Sequence, residues 1–263
     1  MNPYIDLHAH INFKDFDEDR EQLLTEMKEK NVVAINIGTT HKTSVEGIVL
    51  AEKYPGQIFP IIGSHPVHAN EHEDNAKFEE LAANPKVVGI GECGLDYFER
   101  GDIKLTEEDL AMQEKVFRTQ IAFSIKYKKP LMLHVREAYS KTLEILKEYF
   151  KPGEVEYRGN AHFFVGSKEE AQAFLDLGFS ISFTGVITFV KAYEELVQAV
   201  PLDRMFAETD SPYVAPTPYR GQRNSPLYVI EIYKKIAEIK QVPLQEVIDT
   251  LATNARRYWL KTL

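Results

Sequence analysis

The feature that most constrains the fold of this chain is a regular alternation of short apolar runs with longer amphipathic segments. Apolar runs of about four to eight residues are typical of buried strands, and an apolar period near 3.6 is typical of helices. Eight strands that are each followed by a helix predict an α/β fold, a single (β/α)8 TIM-type barrel. We expect it to occupy residues 1–263 as one domain, because no linker or low-complexity segment interrupts the pattern.

The strands are predicted at 4–10, 32–37, 58–62, 87–91, 131–134, 159–162, 179–183 and 204–208. The helices are predicted at 17–30, 41–53, 71–83, 107–128, 138–150, 168–175, 186–200, 226–240 and 244–253. In the fourth helix, Phe117, Ile121 and Ile125 are expected to face inward. The competing architecture is an open, doubly wound sheet, which usually carries a glycine-rich phosphate loop after its first strand. No such loop follows the first strand here, which favours the barrel.

Composition limits the class of protein further. A net charge of −9 argues against a protein that coats nucleic acid through a broadly basic surface, although metal ions and a few arginines can still meet phosphates. The single cysteine, Cys93, excludes an internal disulfide framework and predicts a cytoplasmic location. No apolar stretch is long enough to cross a membrane, and no secretion signal is recognisable. No obligate protein partner is evident, and we expect a monomer.

Metal-competent side chains stand at the predicted carboxyl ends of six strands. In a closed barrel these ends meet at one rim, and residues i and i+2 of a strand, such as His8 and His10, point to the same side. Each residue alone has a structural alternative as a turn or strand-end polar group. Jointly they would be unpaired or mutually repulsive without a cation. The candidate metal ligands are His8, His10, Glu92, His134, His162 and Asp210.

The composition of this set predicts the metals. Imidazoles and carboxylates without a thiolate suit Zn²⁺, Mn²⁺ or Co²⁺ and tolerate Mg²⁺. A catalytic zinc uses three protein ligands, so six ligands predict two divalent ions that share a bridging carboxylate. Such a pair can activate water and stabilise a phosphoryl transfer.

Several blocks of the sequence resemble the motif series of the TatD-related DNases, which are metal-dependent hydrolases with a barrel fold. The blocks are Tyr-Ile-Asp-Leu-His-Ala-His at 4–10, Gly-Ser-His-Pro at 63–66, Gly-Ile-Gly-Glu-Cys-Gly-Leu-Asp-Tyr at 89–97, Leu-His-Val-Arg at 133–136, Glu-Thr-Asp-Ser-Pro-Tyr at 208–213, Arg-Gly-Gln-Arg-Asn-Ser-Pro at 220–226 and Thr-Asn-Ala-Arg-Arg at 253–257. The resemblance implies that His8, His10 and Asp210 hold one ion, that His134 and His162 hold the other, and that Glu92 bridges them. The loop His-Phe-Phe-Val-Gly at 162–166 departs from the usual His-Cys-Phe-Ser-Gly.

Supporting roles are predicted for residues near these ligands. Arg136 lies two residues beyond His134 and is a candidate phosphate ligand, with a surface ion pair as the alternative. His65 is a candidate for binding phosphate or protonating the leaving oxygen, with a structural turn histidine as the alternative. Asp210 is also a candidate proton acceptor. Arg220 and Arg223 are candidate DNA contacts in a loop with Tyr219, or else part of a solvated basic loop.

Remaining side chains are given structural roles. Glu208 is expected to lie behind the ligands, and Cys93 is expected to be a small packed residue rather than a nucleophile.

Three functions remain open at this point. The leading hypothesis is a divalent-metal-dependent phosphodiesterase acting on DNA, as an exonuclease on single strands. The second is a small-molecule hydrolase of the amidohydrolase or phosphotriesterase type, in which a carboxylated lysine often stands where Glu92 stands here. The third is a barrel that has lost catalysis and serves as a binding platform.

Overall fold

The strands of the sheet are short runs in which nearly every residue is buried, as expected when helices cover one face and the facing strands cover the other. The computed structural model describes residues 2–71, 75–99, 101, 104–153 and 157–260. Eight parallel strands form one sheet in the order of the chain, which confirms the predicted barrel class. They are β1 (Tyr4–Ala9), β2 (Val32–Ile37), β3 (Ile58–Ile62), β4 (Gly89–Asp96), β5 (Leu131–Arg136), β6 (Gly159–Ala161), β7 (Phe179–Phe183) and β8 (Met205–Ala207).

Helices alternate with these strands along the chain. They are α1 (Arg20–Glu29), α2 (His41–Lys53), α3 (Asn75–Ala83), α4 (Glu107–Tyr127), α5 (Tyr139–Tyr149), α6 (Lys168–Asp176), α7 (Glu194–Ala199), α8 (Val229–Lys240) and α9 (Leu244–Tyr258). Short 3-10 helices occupy Lys14–Phe16, Pro66–Glu71, Gly185–Thr188, Lys191–Tyr193, Leu202–Arg204 and Pro226–Tyr228. Residues 72–74 of the third predicted helix lie outside the described part of the chain. No helix within the described ranges is long and apolar enough to cross a membrane.

The sheet closes between β1 and β8 at its carboxyl end. The Asp210 amide donates to the His8 carbonyl over 2.9 Å, and the His10 amide donates to the Ser211 carbonyl over 2.9 Å. The buried Asp6 carboxylate accepts hydrogen bonds from the amide and the hydroxyl of Thr209. These contacts join the first and last strands where the predicted ligands lie.

Side chains of the last two helices form hydrogen bonds with backbone groups at the same seam, which is the junction between β1 and β8. The buried Tyr233 hydroxyl accepts from the Ile5 amide over 3.0 Å and donates to the Ile5 carbonyl over 3.2 Å. The Asn254 amide donates to the carbonyls of Leu202 and Met205. Buried backbone groups need such partners, and the α8 and α9 side chains supply them here.

The predicted helix at 186–200 is wrong over most of its length, since only Glu194–Ala199 is α-helical. The Thr188 hydroxyl donates to the Gly185 carbonyl over 2.6 Å and accepts from the Thr217 amide over 2.9 Å. Such side-chain bonds compete with helical bonds, and β-branched residues already disfavour the helix. The segment therefore becomes two 3-10 turns against the loop after β8.

Ile125 does not face inward as predicted, because 49% of it is exposed, whereas Phe117 and Ile121 are fully buried. At 3.6 residues per turn, a position eight residues along a helix lies about 80° away from the first. This rotation carries Ile125 off the buried face.

The fourth strand runs to Asp96, five residues beyond the predicted end at 91. Glu92 therefore lies inside β4 rather than after it. This extension places one further side chain of the strand, that of Asp96, on the same side as Glu92.

Candidate metal centre

All six predicted ligands converge at the carboxyl end of the barrel. His8 and His134 lie within β1 and β5, Glu92 lies within β4, and the other three follow strand ends. His8, Glu92 and His162 are almost completely buried. The barrel thus collects side chains that are separated by up to 202 positions, from 8 to 210, in one pocket.

The first group of ligand atoms has the dimensions of a metal coordination shell. His8 Nε2 lies 3.2 Å from His10 Nε2, 3.5 Å from Glu92 Oε2 and 3.6 Å from Asp210 Oδ1. His10 Nε2 lies 3.8 Å from Glu92 Oε2 and 3.4 Å from Asp210 Oδ1. A tetrahedron with metal–ligand bonds of 2.0–2.1 Å has edges of about 3.3 Å. The four atoms can therefore surround one ion with little movement.

A second group gathers around the other oxygen of the same glutamate. Glu92 Oε1 lies 2.8 Å from His134 Nδ1 and 2.8 Å from His162 Nε2, and these two nitrogens are 3.3 Å apart. Because Oε2 faces the first group and Oε1 faces the second, Glu92 has the orientation of a bridging carboxylate. Glu92 therefore contributes one oxygen to each of two groups of side chains that could hold a metal ion.

Partners on the far side of the imidazole rings orient the ligand nitrogens. His10 Nδ1 is 3.2 Å from the Ile37 carbonyl, which can only accept a hydrogen bond, so Nδ1 carries the proton and the lone pair lies on Nε2. His162 Nδ1 lies 3.5 Å from Glu208 Oε1, which leaves Nε2 for the centre. Glu208 is itself held by the Ser182 hydroxyl and the Phe163 amide. Glu208 thus lies behind His162, in agreement with its predicted place.

The electrostatics of the pocket favour ionised carboxylates. Burial raises the pKa of Glu92, but the nearby imidazoles of His65, His162 and His8 outweigh burial and bring it well below the usual range. Burial also raises the pKa of Asp210, while its bond to His10 and the charge of His8 bring it below normal. Both acids are therefore charged at neutral pH, the state that a metal ligand requires.

The histidines divide into two classes. Burial, together with His162, lowers the pKa of His8. For His134 burial acts the same way, but hydrogen bonds to Asp96 and Glu92 outweigh it and raise the pKa. Burial is likewise outweighed at His162, whose pKa is raised by Glu92 and Glu208. Without a cation, the second group therefore holds protons that a metal would replace.

His65 lies beside the second group with its donor nitrogen inward. Its Nδ1 accepts the Val67 amide over 3.1 Å, so the proton of the neutral ring lies on Nε2, 3.4 Å from Glu92 Oε1. Burial, followed by the charge of His134, lowers the pKa of His65 to about 4. In this state the ring is neutral and can donate a hydrogen bond through Nε2–H.

The three candidate arginines have different surroundings. The Arg136 guanidinium is exposed and stacks over the Phe98 ring at 3.6 Å, and it makes no hydrogen bond to the described part of the chain. Arg220 stacks over Phe189 at 4.1 Å and donates to the Ala215 carbonyl. Arg223 donates from Nη1 to Asp19 Oδ1 over 2.9 Å. Arg136 therefore has most capacity left for a phosphate, and Arg223 has least.

Asp96 is the residue at the centre that sequence reasoning missed. Its Oδ2 lies 3.3 Å from His134 Nε2, and its residue is 1% exposed. The signal was its position four residues after Glu92, which places both on one side of a strand. The predicted strand end at 91 hid this relation. Cys93, which points the other way, is fully buried with Sγ 3.5 Å from the Met132 carbonyl, and burial raises its pKa well above normal.

Comparison with known proteins places these features in context. The family described as "TatD related DNase" matches residues 5–260. The chain is 37% identical to the uncharacterized metal-dependent hydrolase YabD of Bacillus subtilis, over 96% of this chain and 97% of the relative. It is 30% identical to the 3'-5' ssDNA/RNA exonuclease TatD of Erwinia billingiae, over 96% and 97%. The crystal structure of the Escherichia coli TatD homologue YjjV superposes with a TM-score of 0.87 and 27% identity, over 97% of both chains.

Proposed function

Because the chain belongs to the TatD-related DNase family and is a metal-dependent hydrolase acting on ester bonds, we propose that it is a two-metal phosphodiesterase that degrades single-stranded DNA as an exonuclease. The observation that supports this proposal most strongly is the orientation of Glu92, whose two carboxylate oxygens face two separate groups of histidines. The binding-platform alternative is not retained for a member of a hydrolase family. Two divalent ions, Mg²⁺, Mn²⁺ or Zn²⁺, are the proposed cofactors.

The proposed ligands are those predicted from the sequence. His8, His10 and Asp210 would hold one ion, His134 and His162 would hold the other, and Glu92 would bridge. When bound, such a pair lowers the pKa of water and offsets charge on phosphate oxygens. The close approach of three other ligand atoms to Nε2 of the buried His8 ring fits this assignment.

The surrounding residues would position the phosphodiester and move its protons. Asp210 is ionised and partly exposed, with 14% of its side chain accessible, so it can accept a proton from the attacking water. The Nε2–H of His65 can donate to a phosphate oxygen. Arg136, held flat against Phe98, can present its planar fork to the same group. These roles require no change in the protonation of His65.

Exposed aromatic rings in the loops that follow β7 and β8 support a single-stranded substrate. Tyr213 is 51% exposed, and its ring centroid lies 6.3 Å from that of His10. Phe189 is 40% exposed and carries Arg220 on its face. Unpaired bases stack on such rings without regard to sequence, whereas a duplex keeps its bases covered. The exonuclease of Erwinia billingiae offers a precedent for this class of substrate.

Two further properties follow from the sequence as proposals. A lone buried cysteine suits a cytoplasmic location. The continuous sheet from β1 to β8 suits a single barrel domain. We propose that the protein acts as a monomer.

Hydrolysis of end-labelled oligonucleotides tests the proposed function. The purified protein is incubated with Mn²⁺ or Mg²⁺ and with single-stranded DNA, the duplex, or RNA of the same sequence. We expect cleavage from one end of the single strand. We also expect a loss of more than about 100-fold in Glu92→Gln, since loss of an outer partner of a metal site already costs about 10–100-fold. Glu46→Gln, an exposed acid of α2, is the matched control.

Two results would contradict the proposal. Unchanged activity of Glu92→Gln would refute the bridging role. Turnover of lactones or phosphotriesters without any cleavage of nucleic acid would instead favour the small-molecule hydrolase.

A further inference from the structure

The carboxylate of Asp96 contacts the Phe98 amide through one oxygen and the His134 ring through the other. Oδ1 accepts the Phe98 amide over 3.0 Å, and Oδ2 lies 3.3 Å from His134 Nε2. The Asp96 backbone is fixed as well, because its amide donates to Gln113 Oε1 and its carbonyl accepts from Gln113 Nε2. Asp96 and Gln113 are both buried, so little freedom remains in this arrangement.

The two nitrogens of His134 face different groups. Nδ1 is directed at Glu92 Oε1 and His162 Nε2, and Nε2 is directed at Asp96. Asp96 and Glu92 are both carboxylates that only accept hydrogen bonds, so either ring nitrogen can donate when no ion is bound. Once an ion takes the Glu92 side, the proton of the neutral ring must lie on Nε2, where Asp96 accepts it, and the lone pair lies on Nδ1. A metal ligand needs the lone pair on the nitrogen that faces the ion.

We infer that Asp96 is a positioning residue that holds the His134 ring in the tautomer and orientation needed to bind the second metal ion. Carboxylates that accept from a ligating imidazole also raise its basicity, and their loss costs about 10–100-fold in metal affinity. The inference rests on the proposed metal centre, but not on DNA being the substrate. Asp96 touches no reacting atom in this scheme and acts through His134.

A third ion held by His65, Asp96 and His134 is the competing interpretation, because one ligand atom from each lies within 4.8 Å of the others. Two observations disfavour it. His65 Nδ1 already accepts the Val67 amide, so its Nε2 carries a proton instead of a lone pair. His134 would have to bind one ion through each ring nitrogen, which requires loss of both ring protons.

The substitution Asp96→Asn separates these interpretations because it keeps the shape and removes one acceptor. If the side-chain oxygen of the new asparagine accepts from the Phe98 amide, its NH₂ group faces the Nε2–H of His134, so two donors meet. If the side-chain amide is rotated by 180°, its NH₂ group instead faces the backbone N–H of Phe98, and again two donors meet. The variant therefore weakens the hold on the Nε2–H tautomer. Asp203→Asn, an exposed acid at the other end of β8, is the matched control.

Calorimetric titration of the metal-free full-length protein with Mn²⁺ is the test, with thermal unfolding as a check on folding. We expect two binding events in the native protein, of which Asp96→Asn weakens one by about 10–100-fold and leaves the other within threefold. Three results for Asp96→Asn would overturn the inference. They are the loss of a complete third equivalent of Mn²⁺, an equal weakening of both binding events, and no change in either event. His134→Ala should abolish the affected event. If it abolishes neither event, the metal centre itself is wrong, which distinguishes the two failures.

Discussion

Replacement of Tyr233 by phenylalanine tests how the barrel is closed. The Tyr233 hydroxyl is fully buried and is bonded to both the amide and the carbonyl of Ile5. The substitution keeps the ring and removes only the oxygen that satisfies these two backbone groups. Ile5 lies three residues before His8, so the change acts at the strand that carries the first two proposed ligands.

The expected loss of stability follows from the two backbone groups of Ile5 that lose their hydrogen-bond partner. Each buried polar group left without a partner costs about 1–3 kcal/mol, so we expect a decrease of about 3 kcal/mol in the free energy of unfolding. For a chain of this size, about 1 kcal/mol corresponds to roughly 2–4 °C in Tm. The variant should therefore unfold roughly 6–12 °C below the native protein.

A neighbouring tyrosine provides the control. Tyr4 packs edge-on against Tyr233 with ring centroids 5.1 Å apart, and its hydroxyl makes no hydrogen bond within the described residues. Tyr4→Phe should change Tm by no more than about 2 °C, in the range of ordinary surface substitutions. Differential scanning calorimetry of the metal-free proteins measures both. Equal Tm values for Tyr233→Phe and the native protein would refute the idea that this hydroxyl completes the seam.

Three further predictions concern the centre and its surroundings. Arg136→Ala should raise KM for a single-stranded oligonucleotide about tenfold. Arg223→Ala should leave KM within twofold, because Asp19 already pairs with Arg223. Steady-state kinetics that show equal changes of KM in the two variants would contradict this prediction. Because the pKa values of His134 and His162 are raised, metal binding must release protons near neutral pH. Metal affinity should therefore rise with pH. Calorimetry in buffers of different ionisation enthalpy should detect the released protons. A divalent ion at 100 times its Kd should stabilise the native protein by about 2.7 kcal/mol, and Glu92→Gln should lose most of this gain in a thermal-shift assay; an undiminished shift in that variant would count against Glu92 as a ligand.

The site shows why most ligands can be located without coordinates. His8 and His10 share a side because the strand repeats every two residues, and Glu92, His134 and Asp210 follow or end apolar runs. Parallel strands in a closed barrel bring those positions to one rim whatever the intervening loops are. The local pattern was less informative at Asp96, since the glycines at 91 and 94 interrupt the apolar run that would have marked the rest of β4.

The sequence by itself determined the barrel, the order of its strands and most of the residues gathered at its carboxyl end, because the periodicity of buried positions is a local property of the chain. Only the tertiary structure decided which oxygen of Glu92 faces which histidines, that Ile37 and Asp96 orient the rings of His10 and His134, and that Asp19 engages Arg223. Those outcomes depend on hydrogen-bond partners from distant segments, Asp19 and Arg223 being 204 residues apart. A local pattern can place a side chain on one face of a strand or helix. The orientation of that side chain, and the atom that carries its proton, depend on a hydrogen-bond partner from a distant part of the sequence.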